Sequence, residues 1–107
     1  MELTQKHCKP CDQLGTALSK EAIQNYLENL SGWQVEENKI AKAYSFKNHY
    51  EVMAFVNAIA WISHQQDHHP DLQVGYKICK VTYSTHALGG ISENDFICAA
   101  KIDGLLS

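Results

Sequence analysis

No run of apolar residues in this chain approaches the roughly 20 needed to cross a bilayer. No basic run or stripe offers a counter-charge to a phosphate backbone either, and 9 basic against 12 acidic residues leave a formal net charge of −3. Membrane spanning and direct nucleic-acid binding are therefore both set aside. The opening Met1-Glu2-Leu3-Thr4-Gln5 lacks the apolar region of a secretory signal, so the expected location is the cytoplasm. Cysteine is scarce: Cys8, Cys11, Cys79 and Cys98. Cys8-Lys9-Pro10-Cys11 is a single CxxC. A zinc ribbon needs a second one, and a thioredoxin motif needs a following helix in a βαβ context. Both are missing, so the pair reads as two thiols on a loose N-terminal tail. Cys79 and Cys98 fall in a predicted strand and helix, where reduced cysteine acts as a small hydrophobe. The HExxH motif of zinc proteases, internal repeats and low-complexity tracts are also absent.

What is present suits one domain. A chain of 107 residues buries roughly 60–70% of its unfolded surface, enough for one modest core. Residues 1–18 show no clear period and read as a tail; the domain is expected over 19–107. Ser19 is a candidate N-cap, and Ile23, Tyr26, Leu27 and Leu30 recur at helical spacing before Gly32, placed as a C′ glycine. That predicts a first helix over about 20–30. Trp33 and Val35 alternate with polar neighbours, Glu37-Asn38 is a tight turn, and 39–46 follows as the second strand of a hairpin. Asn48 is placed to cap a second helix, whose apolar stripe is Val52, Phe55, Val56, Ile59 and Ile62. That helix must stop before Pro70. Residues 71–76 read as an edge strand. Over 77–86, Cys79, Val81, Tyr83 and Thr85 share the face that packs on helices, and Lys80, Thr82, Ser84 and His86 share the other. Ser92 and Asp95 stand at capping-box spacing, and Ile91 and Phe96 as a hydrophobic staple, at the start of a third helix ending near Gly104. The order α-β-β-α-β-β-α predicts an α+β fold, a four-stranded antiparallel sheet with three helices on one face.

Chemistry concentrates in His64-Gln65-Gln66-Asp67-His68-His69-Pro70, where four of seven residues are histidine or aspartate. His86 follows one predicted strand later. Histidine gives and takes protons near neutral pH, so the cluster suggests a proton-transfer site or a metal site. A metal site would need His64 and His68, which share a face if the helix extends that far, plus Asp67, His69, His86 or a cysteine. An acid/base site needs two groups with separated proton affinities around one substrate. His68 and His69 at a helix end, with His86 at a strand end, meet that need. Asp95 alternatively serves only as the capping carboxylate.

The spacing of the set resembles the signature of the pterin-4a-carbinolamine dehydratase family: a charged residue or histidine, three residues, His-His-Pro, five residues, an aromatic, nine residues, a histidine, eight residues, an aspartate. Here these are His64, His68-His69-Pro70, Tyr76, His86 and Asp95, with every gap matching. Position 64 is histidine where animal members carry glutamate. Ser84-Thr85-His86, the run 90–95 and Gly32-Trp33 are also similar to the family, and the likeness spans the chain from about residue 18 onward.

The resemblance implies dehydration of a 4a-hydroxytetrahydropterin to a quinonoid dihydropterin, with no redox change and with neither cofactor nor metal. It implies that His68 and His86 move protons and that His69 shares in catalysis and binds the pterin. Asp95 would orient the catalytic histidine, His64 would tune the pair, and Pro70 and Tyr76 would line the substrate. It further implies a homodimer or homotetramer. Animal members also act as dimerisation cofactors for a homeodomain transcription factor, so a non-catalytic binding module is the alternative, and a histidine-ligated metalloprotein is a third.

Overall fold

The fold follows from where apolar residues can be covered. The computed structural model describes residues 2–106; the last residue of the expected domain lies outside them. Three helices, α1 (Lys20–Leu27), α2 (His49–Gln66) and α3 (Glu93–Gly104), join four strands, β1 (Gln34–Glu36), β2 (Lys39–Ser45), β3 (Asp71–Val74) and β4 (Ile78–Tyr83), in the expected order. The sheet is antiparallel with strand order β1-β2-β4-β3. The predicted alternation holds along β4 and two residues past its end: Cys79, Val81, Tyr83 and Thr85 are buried, while Lys80, Thr82 and Ser84 are half-buried. Val52, Phe55, Ile59 and Ile62 of α2 form the matching stripe, and Phe55 packs on the rings of Tyr44 and Phe46. α3 is buried along most of its length, and Tyr26 of α1 stacks on its Phe96 at 4.7 Å.

Local chemistry fixes the helix starts. The Ser19 side chain accepts from the Ala22 N–H at 3.2 Å, and that of Asn48 accepts from the Glu51 N–H at 2.9 Å. Each satisfies one backbone donor that the helix itself leaves orphaned. Asn48→Ala is expected to cost about 1 kcal/mol. A lower urea midpoint with an unchanged slope is the result that checks it.

Several boundaries differ from the sequence reading. α1 ends at Leu27 instead of near residue 30, because the chain tightens there: the Asn29 and Leu30 N–H groups bond the Tyr26 and Leu27 carbonyls. Gly32 is therefore not the C′ glycine. It sits at φ +86° in the turn before β1, with Lys42 packed where a side chain would go. β4 ends at Tyr83 instead of residue 86. Beyond it, Thr85 bridges Gly90, and His86–Leu88 form a short 3-10 turn.

The N-terminal segment is the larger correction, for it is docked and not loose. Leu3 and Cys8 pack against the core. The Cys8 N–H donates to Gln66 Oε1 at 2.8 Å, Lys9 and Asn94 exchange two hydrogen bonds of 3.0 and 2.8 Å, and Lys6 pairs with Glu93 at 3.0 Å. Buried polar groups need partners. Asn94, on the outward side of α3, finds its partner in the backbone of this segment.

Candidate active site

The site is built at one end of the β3–β4 hairpin. Asp71 of β3 lies opposite Thr82 of β4, so the residues preceding Asp71 and those following Thr82 leave the sheet at the same end. The first group is His68-His69-Pro70; the second runs from Tyr83 to His86. The register thus brings the histidine-rich turn and the His86 turn to one edge.

α2 sets the angle of entry. It stops at Gln66, and Asp67 takes a left-handed conformation (φ 51°, ψ 45°). Its N–H and that of His68 both bond the Ser63 carbonyl, closing the helix in the manner of a C-terminal αL cap. A non-glycine residue in that region is uncommon, though aspartate tolerates it better than most. The reversal turns His68 off the helix. His64 and His68 accordingly do not share a helical face. His64 stays exposed on the last turn of α2, its ring 5.5 Å from that of Trp61.

His68 points inward. Its ring stacks on Tyr83 at 5.4 Å and 15°, and its Nε2 lies 2.6 Å from Asp95 Oδ1. The Asp95 side chain is 0% exposed and that of His68 11%. The other oxygen of Asp95, Oδ2, accepts from the Ser92 N–H at 2.9 Å and from Thr85 Oγ1 at 3.0 Å. Thr85 Oγ1 lies 2.7 Å from Ser92 Oγ. Asp95 thus does two jobs at once: Oδ2 closes the capping box of α3, and Oδ1 holds an imidazole. The carboxylate is anchored through a helix start, a strand end and the turn after α2.

The other predicted residues divide. His69 and His86 are exposed and Pro70 is half-buried at this same end. Tyr76 is not brought to it. It lies in the turn at the far end of the hairpin, 73% exposed, with its ring stacked on His49 at 5.9 Å. Among the described residues no three His, Cys, Asp or Glu side chains gather as a metal-ligand set. The turn at Asp67 takes His68 off the helix on which His64 sits. Tyr83, Thr85 and Ser92 are the participants that the sequence reading did not assign to the site. The available signal was Thr85 itself, a short hydroxyl side chain in phase with the buried Cys79, Val81 and Tyr83, where polar groups are mostly partnered.

The sequence profile of the family described as Pterin 4 alpha carbinolamine dehydratase matches residues 16–105. The chain belongs to the pterin-4-alpha-carbinolamine dehydratase family. This is a family of hydro-lyases, and the match takes in α1 to α3 and β1 to β4. A protein of Nitrosomonas eutropha provisionally named as such a dehydratase is 58% identical over 106 residues, covering 98% of this chain and 94% of its own. One from Legionella pneumophila, named likewise, is 58% identical over 108 residues, covering 98% and 96%. The crystal structure of a transcriptional coactivator/pterin dehydratase from Brucella melitensis superposes with a TM-score of 0.83 at 26% identity, over 86% of this chain and all of that one. A pterin dehydratase-like protein identified as a RuBisCO assembly factor in the alpha-carboxysome matches with a TM-score of 0.57 at 26% identity, over 68% and 84%.

In this dehydratase-family chain the environment of His68 sets its proton affinity. Burial pulls it down, but the Asp95 carboxylate, through its hydrogen bond and its charge, more than offsets that. Cys98 and Asp67 add smaller contributions, and the ring ends above its ordinary value of 6.5. A folded-state pKa above the unfolded one contributes stability that is complete below the unfolded value and is lost as pH rises through the folded one. Stability is therefore expected to decline as pH climbs upward from about 6.5. Urea midpoints over a pH series check this, and His68→Gln should flatten the decline. Glu93 acts in a different window. Donation from the Tyr26 hydroxyl at 2.6 Å, reinforced by Lys6, outweighs burial and holds its carboxyl below the usual range. Its contribution is present above about 4.5 and is lost as pH falls through the lowered value.

Proposed function

We propose that this protein is a 4a-hydroxytetrahydrobiopterin dehydratase. It removes water from a 4a-hydroxytetrahydropterin to give the quinonoid dihydropterin, and so returns the pterin for reuse. The observation that carries this reading is the 2.6 Å His68–Asp95 pair, half of it fully buried, at the sheet end that also presents His69 and His86.

The reaction breaks the C4a–O bond and removes the N5 proton. The leaving hydroxyl needs a proton and N5 needs a base, so water departs with no change of oxidation state and no electrons to place elsewhere. His68 holds its proton more tightly than a free imidazole does. With Nε2–H on Asp95, its Nδ1–H is the donor to the departing hydroxyl. His86 takes the N5 proton. His69 binds the pterin and shares in the transfer, Pro70 shapes the mouth, and His64 tunes the charge nearby. Tyr76 lines no part of the site within one protomer. The chain is taken to act in the cytoplasm as a homodimer or homotetramer. The exposed Tyr50 and Trp61 of α2, and a β3 that pairs on one edge with β4, support self-association. Light scattering reads the assembled mass.

The test is the decay of a 4a-hydroxypterin with and without the purified chain. Acceleration over the spontaneous rate supports the reading, and an unchanged rate rejects it. A second reading, a non-catalytic binding module, is favoured by the roles named for the two solved relatives, a coactivator and an assembly factor. Joint replacement of His68 and His69 by alanine separates the two. A cellular phenotype that survives the loss belongs to the binding module.

A further inference from the structure

Cys8 and Cys98 stand 90 residues apart in the chain, with their sulfurs 3.6 Å apart. The approach is built on both sides. Next to Cys8, His7 Nδ1 lies 3.1 Å from Gln66 Nε2; the Cys8 N–H donates to Gln66 Oε1; and Lys9 is clasped to Asn94 by two hydrogen bonds. Gln66 is the last residue of α2, immediately before the turn that delivers His68, and Asn94 immediately precedes Asp95. Cys98 follows Asp95 by three residues, about one turn of α3. Its thiol is a polar neighbour of the Tyr83 hydroxyl, which is buried without a partner of good geometry and belongs to the ring stacked on His68. The thiol pair thus sits at the corner where α2 and α3 hold the His68–Asp95 pair. Residue 8 also lies outside the stretch 16–105 that carries the family's profile.

We propose that Cys8 and Cys98 are a modification site that a low-molecular-weight disulfide of the glutathione type closes into an intramolecular disulfide, bolting the N-terminal segment to α3 behind the His68–Asp95 pair. Cys8 is partly exposed and Cys98 is buried, which fixes the order of events. The Cys8 thiolate attacks one sulfur of the small disulfide. A mixed disulfide forms and one small thiolate leaves. The Cys98 thiolate then attacks the Cys8 sulfur and expels the second. The two protein thiols give up two electrons and two protons; the small disulfide takes both and becomes two thiols. Closing the bond requires the sulfurs to approach by about 1.5 Å from their present 3.6 Å. The hydrogen bond to Cys98, followed by burial, pushes the Cys8 thiol up, whereas the bond from Cys8 leads the effects that lower Cys98. The first attack is therefore slow at neutral pH and accelerates about tenfold per pH unit, since only the thiolate reacts. The second step is intramolecular, between sulfurs that the fold already holds side by side.

The full chain is reduced, equilibrated in mixtures of reduced and oxidised glutathione, alkylated and mapped by mass spectrometry. The expected result is loss of two of the four thiols, a mass before alkylation lower by about 2 Da because two hydrogens have left, a peptide cross-linked between Cys8 and Cys98, and a higher Tm. Cys11→Ser should behave as the parent does, and Cys8→Ser should yield no cross-link. A Cys8–Cys11 disulfide, a glutathione adduct that persists on Cys8, or four thiols still free under oxidised glutathione would each overturn the proposal. None of these readouts depends on dehydratase activity.

Discussion

Replacing His68 with alanine should lower the rate of pterin dehydration by about 10²–10⁴-fold, the usual contribution of a positioned acid/base group. The expectation rests on where the ring is held. Its Nε2 is committed to Asp95 at 2.6 Å and its face to Tyr83 at 5.4 Å, so proton transfer with substrate falls to Nδ1. Alanine also leaves Asp95 Oδ1 without its partner, and an uncompensated buried charge weakens a fold. Circular dichroism and a urea titration must therefore accompany the kinetics. His68→Gln provides the second measurement. Glutamine can still donate to Asp95, which spares the fold, but it cannot exchange a proton. A folded His68→Gln protein that dehydrates the pterin at the parent rate would remove His68 from the chemistry. A loss shared by both variants, with the fold intact in at least the glutamine form, assigns the effect to the imidazole.

The histidine set was legible because fixed spacing survives folding, and the fold was legible because alternation and helical stripes each demand one covered face. Cys79, Val81 and Tyr83 on one side of β4, and Val52, Phe55, Ile59 and Ile62 on α2, leave little freedom in how sheet and helix meet. Less legible was anything decided by a backbone reversal. Nothing in the period of α2 says that Asp67 turns left-handed, yet that one residue separates His64 from His68 and points the latter inward. Proline at position 70 required only that the helix stop, not how. Tyr76 shows a different failure. Its place in the signature spacing put it with the site, but a four-residue strand and a tight turn carry it to the opposite end of the hairpin. The docked N-terminus was illegible for want of any period: Cys8 and Lys9 are held by the side chains of Gln66 and Asn94. Those are specific pairings between segments far apart in the chain, which leave no local pattern to read.

Asp95→Asn should be the most instructive substitution, because it keeps the volume and changes the charge. The substituted amide can turn its carbonyl oxygen towards the Ser92 N–H and Thr85 Oγ1, the two donors that Oδ2 serves now, so the helix cap survives. Its nitrogen then faces His68 Nε2 and donates, which forces the imidazole to carry its proton on Nδ1 and removes the charge that favours the cation. A fixed tautomer and orientation are what a buried carboxylate supplies to a catalytic histidine. The rate is expected to fall by about 10²–10⁴-fold, the span expected when a positioned proton-transfer group is lost. The pH profile distinguishes this from simple misfolding. Without the carboxylate the lowering effect of burial on His68 is no longer outweighed, so the limb of kcat/KM that reports this ring must move to lower pH. Asp95→Ala strips the cap as well: it leaves the Ser92 N–H and His68 Nε2 without their partner, and Thr85 with Ser92 Oγ alone. It is expected to cost about 3–5 kcal/mol, as breaking a buried pair does, out of a total that for small domains is roughly 5–15 kcal/mol. An asparagine variant with its pH limb unmoved and its rate within a few-fold of the parent would reduce Asp95 to a helix cap and leave His68 to work without it.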